Sequence, residues 1–335
     1  MHPAARRWFD THTFAASDFS VENILAAKAH TGSTVSVVIP ARNEAATVAT
    51  VVTRISEALV GNGVVDELVV IDSDSTDDTA ALATAAGATV YASSSIDTSL
   101  STLPGKGEAL WRSLFVTSGD IVAFIDADLT EWGAHFVTGL LGPMLLDEKT
   151  LLVKGFYDRL FDSGSDAIGV GAVDAGDTAA PQGGRVTELV ARPLINLHWP
   201  VLAGVVQPLA GEWAIRRSLA ESLPFPVGYG IEFATLVDTM WGHGLDAVAQ
   251  VDLGRRGHSH QNVHDLGVMA TEILSTATRR MNRPPPPAPV GPSPVSAELF
   301  QYDRDTPGFW RARPVPLAER PPASRLESYR SRRGA

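Results

Sequence analysis

The first half of the chain repeats one pattern: a short apolar run of strand length, a polar cluster, then an alanine-, valine- or leucine-rich stretch with helical spacing. Val35–Ile39 reads as a buried strand closed by Pro40, and A-R-N-E follows before a helical stretch that runs to Leu59. Glu67–Ile71 is a second strand. It ends in D-S-D-S-T-D-D-T, where Ser75 and Asp78 have capping-box-like spacing for a helix to about Ala86. Thr89–Ala92 is a third, shorter strand. A serine-rich loop from Ser93 to Thr102 leads into P-G-K-G-E-A-L-W and a helix from Lys106 to about Thr117. Ile121–Ile125 then carries Asp126 and Asp128 at its carboxyl end. This alternation predicts an α/β fold with a mostly parallel sheet and right-handed crossovers, in which ligands gather at the carboxyl ends of the strands.

Further along, the pattern predicts a helix over Ala134–Leu146, a strand over Leu151–Phe156 and a helix over Val186–His198. A strand near Glu212–Ile215, a helix over Ile231–Met240, a strand over Ala247–Val251 and a helix over His264–Met281 follow. Between Asp162 and Gly184 the residues are mainly Gly, Ala, Asp and Ser, which predicts a long loop of the lid or binding type. Residues 1–32 read as an extension outside the main fold, with a short helix near Val21–Ala29 that Ser20 can cap. Pro284–Pro294 reads as an extended linker, and Phe300–Ala335, rich in Arg and Pro, as a tail that wraps the surface or stays disordered. The main domain therefore spans residues 33–283, with a division at about residue 156.

Composition narrows the functions. With 27 Lys and Arg against 38 Asp and Glu the net charge is −11, so the fold offers no broad basic surface for nucleic acid. The absence of cysteine removes disulfides, thiolate zinc sites and cysteine nucleophiles, and it fits a cytoplasmic protein. No apolar run reaches the roughly 18 residues of a membrane span, and Arg6-Arg7 is not followed by the apolar core of a secretory signal.

The candidate chemistry lies at strand ends. Asp126 and Asp128 project to one side of an extended backbone, and their charge invites a cation: a divalent metal carrying a diphosphate, or, more simply, they form a polar turn. Lys106, between Gly105 and Gly107 at a helix start, is poorly placed for the helix dipole; a bound phosphate explains it, as would a solvated surface position. Glu44 and Glu232 each suit the first turn of a helix, or a ligand hydroxyl. His258, His260 and His264 crowd one segment, as metal ligands or as a surface cluster.

Taken in order, P-A-R-N-E, D-S-D-S-T-D-D-T, G-K-G-E-A-L and D-A-D resemble the motifs of nucleotide-sugar glycosyltransferases of the GT-A fold. More narrowly, P-G-K-G-E-A-L-W-R-S-L, G-R-V-T-E-L-V-A-R-P-L and G-Y-G-I-E resemble the glucosyl-3-phosphoglycerate synthases, over about Val35 to Met281. The resemblance implies a retaining transfer of glucose from UDP-glucose to 3-phosphoglycerate by a homodimer. It places Pro40, Ala41, Arg42, Asn43, Glu44 and Ser73 around the nucleotide, and Asp126, Ala127, Tyr229, Gly230, Glu232, Lys106 and Arg256 around the rest of the donor. It assigns Gly184, Arg185, Val186 and Thr187 to the acceptor, as helix N-terminal amides beside an arginine and a hydroxyl would suit a compact phosphate. His260 falls near the acceptor too, where relatives carry asparagine. The metal, Mg²⁺ with Mn²⁺ also accepted, falls to Asp128 and His258, and Asp128, Glu232 and Lys106 carry the catalysis. A transferase with another donor such as GDP-mannose or another acceptor, and a non-catalytic nucleotide-sugar-binding module, are the rival readings.

Overall fold

The computed structural model describes residues 1–160, 184–257, 263–281, 296–302 and 310–334. The predicted loop over 162–184 and the proline-rich linker fall almost wholly outside these residues. The strands in chain order are β1 (Thr13–Ala15), β2 (Val35–Ala41), β3 (Glu67–Asp72), β4 (Thr89–Ala92), β5 (Ile121–Phe124), β6 (Leu152–Leu160), β7 (Trp213–Arg216), β8 (Phe225–Pro226), β9 (Val248–Gly257), β10 (Ser296–Tyr302), β11 (Trp310–Pro316) and β12 (Glu319–Arg320). Eight of them form one sheet in the order β1-β9-β6-β7-β5-β2-β3-β4. Only β7 runs against its neighbours β5 and β6. The predicted α/β architecture, a mixed and mostly parallel sheet flanked by helices, is the one observed.

The strands are almost continuously apolar because both faces are covered. Val35, Val37 and Ile39 of β2 face one core with Ala123 of β5 and the helices Val48–Ile55 and His135–Leu146. Val38, Val122 and Phe124 face the other, against the helices Lys106–Ser113 and Ile231–His243. The period of two thus divides each strand between two cores.

Residues 1–32 do not lie outside the main fold. β1 pairs in parallel with β9 and extends the sheet. Trp8 is 2% exposed and donates its indole N–H to the Val248 carbonyl at 2.7 Å. Phe19 occupies a slot that exists because residue 142 is glycine: a Cβ there would stand 2.1 Å from the ring. An extension read from weak periodicity alone hides such contacts, since its anchors are single aromatics spaced apart. The helix Val21–Thr31 does form, and Ser20 caps it by accepting from Asn23 N–H at 3.2 Å. Trp8→Ala is expected to cost about 3–5 kcal/mol in urea unfolding. An unchanged midpoint would return this segment to the status of an appendage.

The C-terminal residues are also more than a wrapping tail. β12 pairs with β8 in an antiparallel bridge, and the Val227 N–H donates to the Ala318 carbonyl at 3.1 Å. Arg320 grips Glu108 through two bonds of 2.7 Å and lies over the Trp111 ring, whose N–H donates to the Pro321 carbonyl at 3.0 Å. Tyr329 is buried, with its hydroxyl on Glu221.

Candidate functional site

Because β2, β3 and β5 are parallel, their carboxyl ends open on one edge of the sheet. Antiparallel β7 begins at that same edge, so Gly211 and Glu212 meet the turn after β5. β9, parallel to β6, also ends there. The motif residues therefore converge from separate parts of the chain.

The turns after β2 and β3 are laced together. Asn43 adopts a left-handed conformation at φ 57°. Its N–H donates to Ser75 Oγ at 2.9 Å, and its side-chain oxygen accepts from Thr76 N–H at 2.9 Å. Glu44 N–H donates to Thr79 Oγ1 at 2.8 Å, and Ser73 N–H to the Ala41 carbonyl at 2.8 Å. Ser75 is thus a latch between loops, bonded also to Asp72, and does not cap the helix Thr79–Ala85; Asp77 bonds Thr79 there instead. Pro40 is the sixth residue of β2, half-buried, while Arg42 is exposed.

Lys106 is the centre of the charge arrangement. Its ammonium lies 2.6 Å from Asp126 Oδ1 and 3.0 Å from Glu232 Oε1, with Glu232 only 4% exposed. Burial would pull the ammonium down, but Asp126 and Glu232, with Glu212 behind them, hold it well above the usual lysine range. The two flanking glycines are required by close approach: a Cβ at 105 would meet the Val227 carbonyl oxygen at 2.3 Å, and one at 107 the Pro226 oxygen at 1.9 Å. The charge that was unfavourable for the helix dipole is therefore matched inside the chain by two carboxylates.

Ala127 is packed in the core, and the aspartates on either side of it are half-buried. Burial first, and then the charges of Asp128 and Asp126, push the Glu44 carboxyl up to about 7, against the pull of Thr47 Oγ1. That excess of negative charge on hard oxygen donors suits a divalent cation. Among the described residues there is no group of three or more His, Asp or Glu that could hold a metal ion. His258 and His260 lie outside the described residues, and Arg256 is described only as a residue of β9, opposite Arg159.

Of the residues expected at the acceptor, Gly184 is half-buried and Arg185 exposed, while Val186 and Thr187 are buried at 8% and 3%. Thr187 opens a stretch of wide π-type helix, Thr187–Ala191. Tyr229 is partly exposed beside Gly230, where a Cβ would meet Thr276 Oγ1 at 2.2 Å.

Three charged groups escaped the reading of the sequence. Lys154, in the apolar run L-L-V-K-G-F, is 1% exposed, and Glu212 is fully buried. Glu272, on the helix Val263–Met281, accepts the Tyr229 N–H and is 5% exposed. A charge inside an otherwise core-forming run was the available signal.

Burial, with a smaller push from Glu232, raises the Glu272 carboxyl to about 7 although the Tyr229 N–H opposes it. The folded chain then holds this proton more tightly than the unfolded chain, whose value is near 4.5. Its stabilising contribution is complete below pH 4.5 and is lost as pH rises to 7. Glu272→Gln, neutral and able to accept the same bond, is expected to melt above the parent at pH 8, with the gap closing toward pH 4.5. A gap independent of pH would refute this.

A model of glycosyl transferase family 2 matches residues 36–165. The chain is 44% identical over 321 residues to glucosyl-3-phosphoglycerate synthase of Mycolicibacterium smegmatis, covering 96% of this chain and 98% of that one. The chain belongs to the glucosyl-3-phosphoglycerate synthase family. The Mycobacterium tuberculosis member is 44% identical over 313 residues, 92% of this chain and 90% of that one. A crystal structure of the M. tuberculosis synthase with Mn²⁺, UDP-glucose and phosphoglyceric acid superposes with a TM-score of 0.76 at 42% identity, over 91% of this chain and 95% of that one. Another complex of the same synthase contains Mn²⁺, UDP-glucose and glycerol 3-phosphate. Each of these matches takes in more than nine-tenths of this chain and so extends beyond the stretch that the family-2 model matches.

Proposed function

We propose that this family member transfers glucose from UDP-glucose to the hydroxyl of 3-phospho-D-glycerate with retention, giving glucosyl-3-phosphoglycerate and UDP. The observation that carries the reading is the Asp126–Lys106–Glu232 array at the carboxyl edge of the sheet, in a chain so closely similar to synthases of that name. Pro40, Ala41, Arg42, Asn43, Glu44 and Ser73 form the nucleotide end, where the interlocked turns hold backbone groups for the uridine. Asp126, Ala127, Tyr229, Gly230 and Arg256 complete the donor site. Gly184, Arg185, Val186, Thr187 and His260 receive the acceptor, with the Arg185 guanidinium facing its phosphate.

Asp128 and His258 would hold a divalent ion, Mg²⁺ or Mn²⁺. When bound, it supplies compensation for the charge that develops on the departing diphosphate. Lys106 contributes fixed positive charge at the same side, and Glu232 orients sugar hydroxyls or the acceptor. The acceptor hydroxyl attacks C1 from the face that UDP leaves, without a covalent glycosyl-enzyme. The protein works in the cytoplasm as a homodimer; the exposed Leu189 and Leu197 support an apolar contact between copies. No helix among the described residues is long and apolar enough to cross a membrane.

The test is to incubate the purified chain with Mg²⁺ or Mn²⁺, 3-phosphoglycerate and labelled UDP-glucose or GDP-mannose, then to identify the product and its anomeric configuration by NMR. Transfer from GDP-mannose alone would replace the donor assignment. Binding of UDP-glucose without turnover would make the chain a non-catalytic module.

A further inference from the structure

Lys154 lies in the middle of the sheet, on β6, and its ammonium is held by a carbonyl and an aromatic ring. Its Nζ donates to the Ala210 carbonyl at 2.8 Å and lies 5.4 Å from the centre of the Trp213 ring. Trp213 is also its register partner on β7, and the next residue, Gly155, donates its N–H to the Glu212 carbonyl at 2.9 Å. β6 thus fastens both sides of the bend Ala210–Gly211–Glu212. That bend presses on the donor site: a Cβ at Gly211 would stand 2.1 Å from Asp126 Oδ2. The other oxygen of the same carboxylate receives Lys106, which in turn reaches Glu232.

We infer that Lys154 is a positioning residue for the donor: it holds the 210–212 bend against Asp126 and so fixes the Asp126 carboxylate and the Lys106 ammonium where UDP-glucose meets them. The inference rests on the proposed reaction and assigns to it a residue that touches no substrate. An apolar side chain would suit the position better on burial alone, since desolvation draws this ammonium down to about 7, even with Glu232, Glu212 and Asp126 opposing. A lysine kept at such a cost needs the bond to Ala210 as its reason. The neighbouring charges are those same three carboxylates and Lys106, contributed by the Lys106 helix, the β5 turn, the start of β7 and the helix Ile231–His243.

The experiment compares the full-length parent with Lys154→Met, Lys154→Gln and Gly211→Ala. Lys154→Met is expected to melt no lower than the parent, because a desolvated charge is gone. Its KM for UDP-glucose should rise about tenfold, while the KM for 3-phosphoglycerate stays within about twofold. Lys154→Gln, which keeps an N–H donor, should fall between parent and Lys154→Met. Gly211→Ala should raise the same donor KM by displacing Asp126 directly. A folded Lys154→Met with parental donor KM overturns the inference, as does a parental donor KM in Gly211→Ala. A Lys154→Met that does not fold reduces Lys154 to a fold determinant and overturns it too. Should the parent itself transfer no glucose, the proposed reaction falls separately, and UDP-glucose dissociation constants from calorimetry on the same variants decide the positioning role.

Discussion

Lys106→Met should remove transfer activity by a factor of roughly 10²–10³ and destabilise the fold at neutral pH by about 3–5 kcal/mol. Both losses come from one geometry. Asp126 and Glu232 share this ammonium at 2.6 and 3.0 Å, and Glu232 is nearly inaccessible to water. Removing the cation leaves two carboxylates close together without their partner, and part of the strain is relieved when they bind a proton. The stability deficit is therefore expected to shrink as pH falls below neutrality, which urea titrations from pH 7.5 to about 5 would follow. The activity loss, measured well below the melting temperature, separates the charge supplied to the leaving diphosphate from the effect on folding. A variant within about fivefold of parental kcat, or one as stable as the parent at pH 7.5, would contradict the role given to this lysine.

Asp128→Ala is the second large effect, and it is expected to separate function from stability in the opposite way. Transfer should fall about 10³-fold and metal dependence should vanish, while the melting temperature stays near the parental value, since Asp128 is half-buried at a turn and outside the strand ladder. Glu44 provides a readout that does not depend on turnover. Its carboxyl is pushed to about 7 by burial and then by Asp128, so removing Asp128 should lower its titration toward the ordinary value of 4.5 while burial keeps it from reaching it. Mn²⁺ affinity measured by paramagnetic resonance tests the ligand assignment directly. Parental metal affinity in Asp128→Ala would move the ion elsewhere.

The alternation of apolar runs and polar clusters was enough to anticipate β2 through β5, because parallel strands buried on both faces leave an unmistakable local trace. It also located Asp126 and Lys106, which stand where strand and helix meet. What it did not contain is which of these groups touch. The ion pair between Lys106 and Glu232 joins residues whose separate signals, a glycine-flanked lysine and a first-turn glutamate, each had a local explanation. Lys154 was hidden for the opposite reason: it lies inside a strand, where the apolar neighbours dominate the pattern. The attachment of residues 1–32 and of the C-terminal strands is not legible in this way, because a few distant contacts fasten them, such as Trp8 on Val248 and Arg320 on Glu108, and periodicity along the chain carries no record of these.

Arg320 and Glu108 are 212 positions apart, yet their contact helps to close the turn that carries Lys106. Contacts of such long range form late when a chain acquires its structure, after the local β-α-β pairings have condensed. The sheet can thus assemble during synthesis while the donor end is still unfinished, and the lysine turn gains its backing only once residues 318–321 have been made and have paired with β8. Competence to bind a nucleotide sugar would then wait for residues 318–321, and a refolding experiment should record recovery of the sheet before recovery of the site.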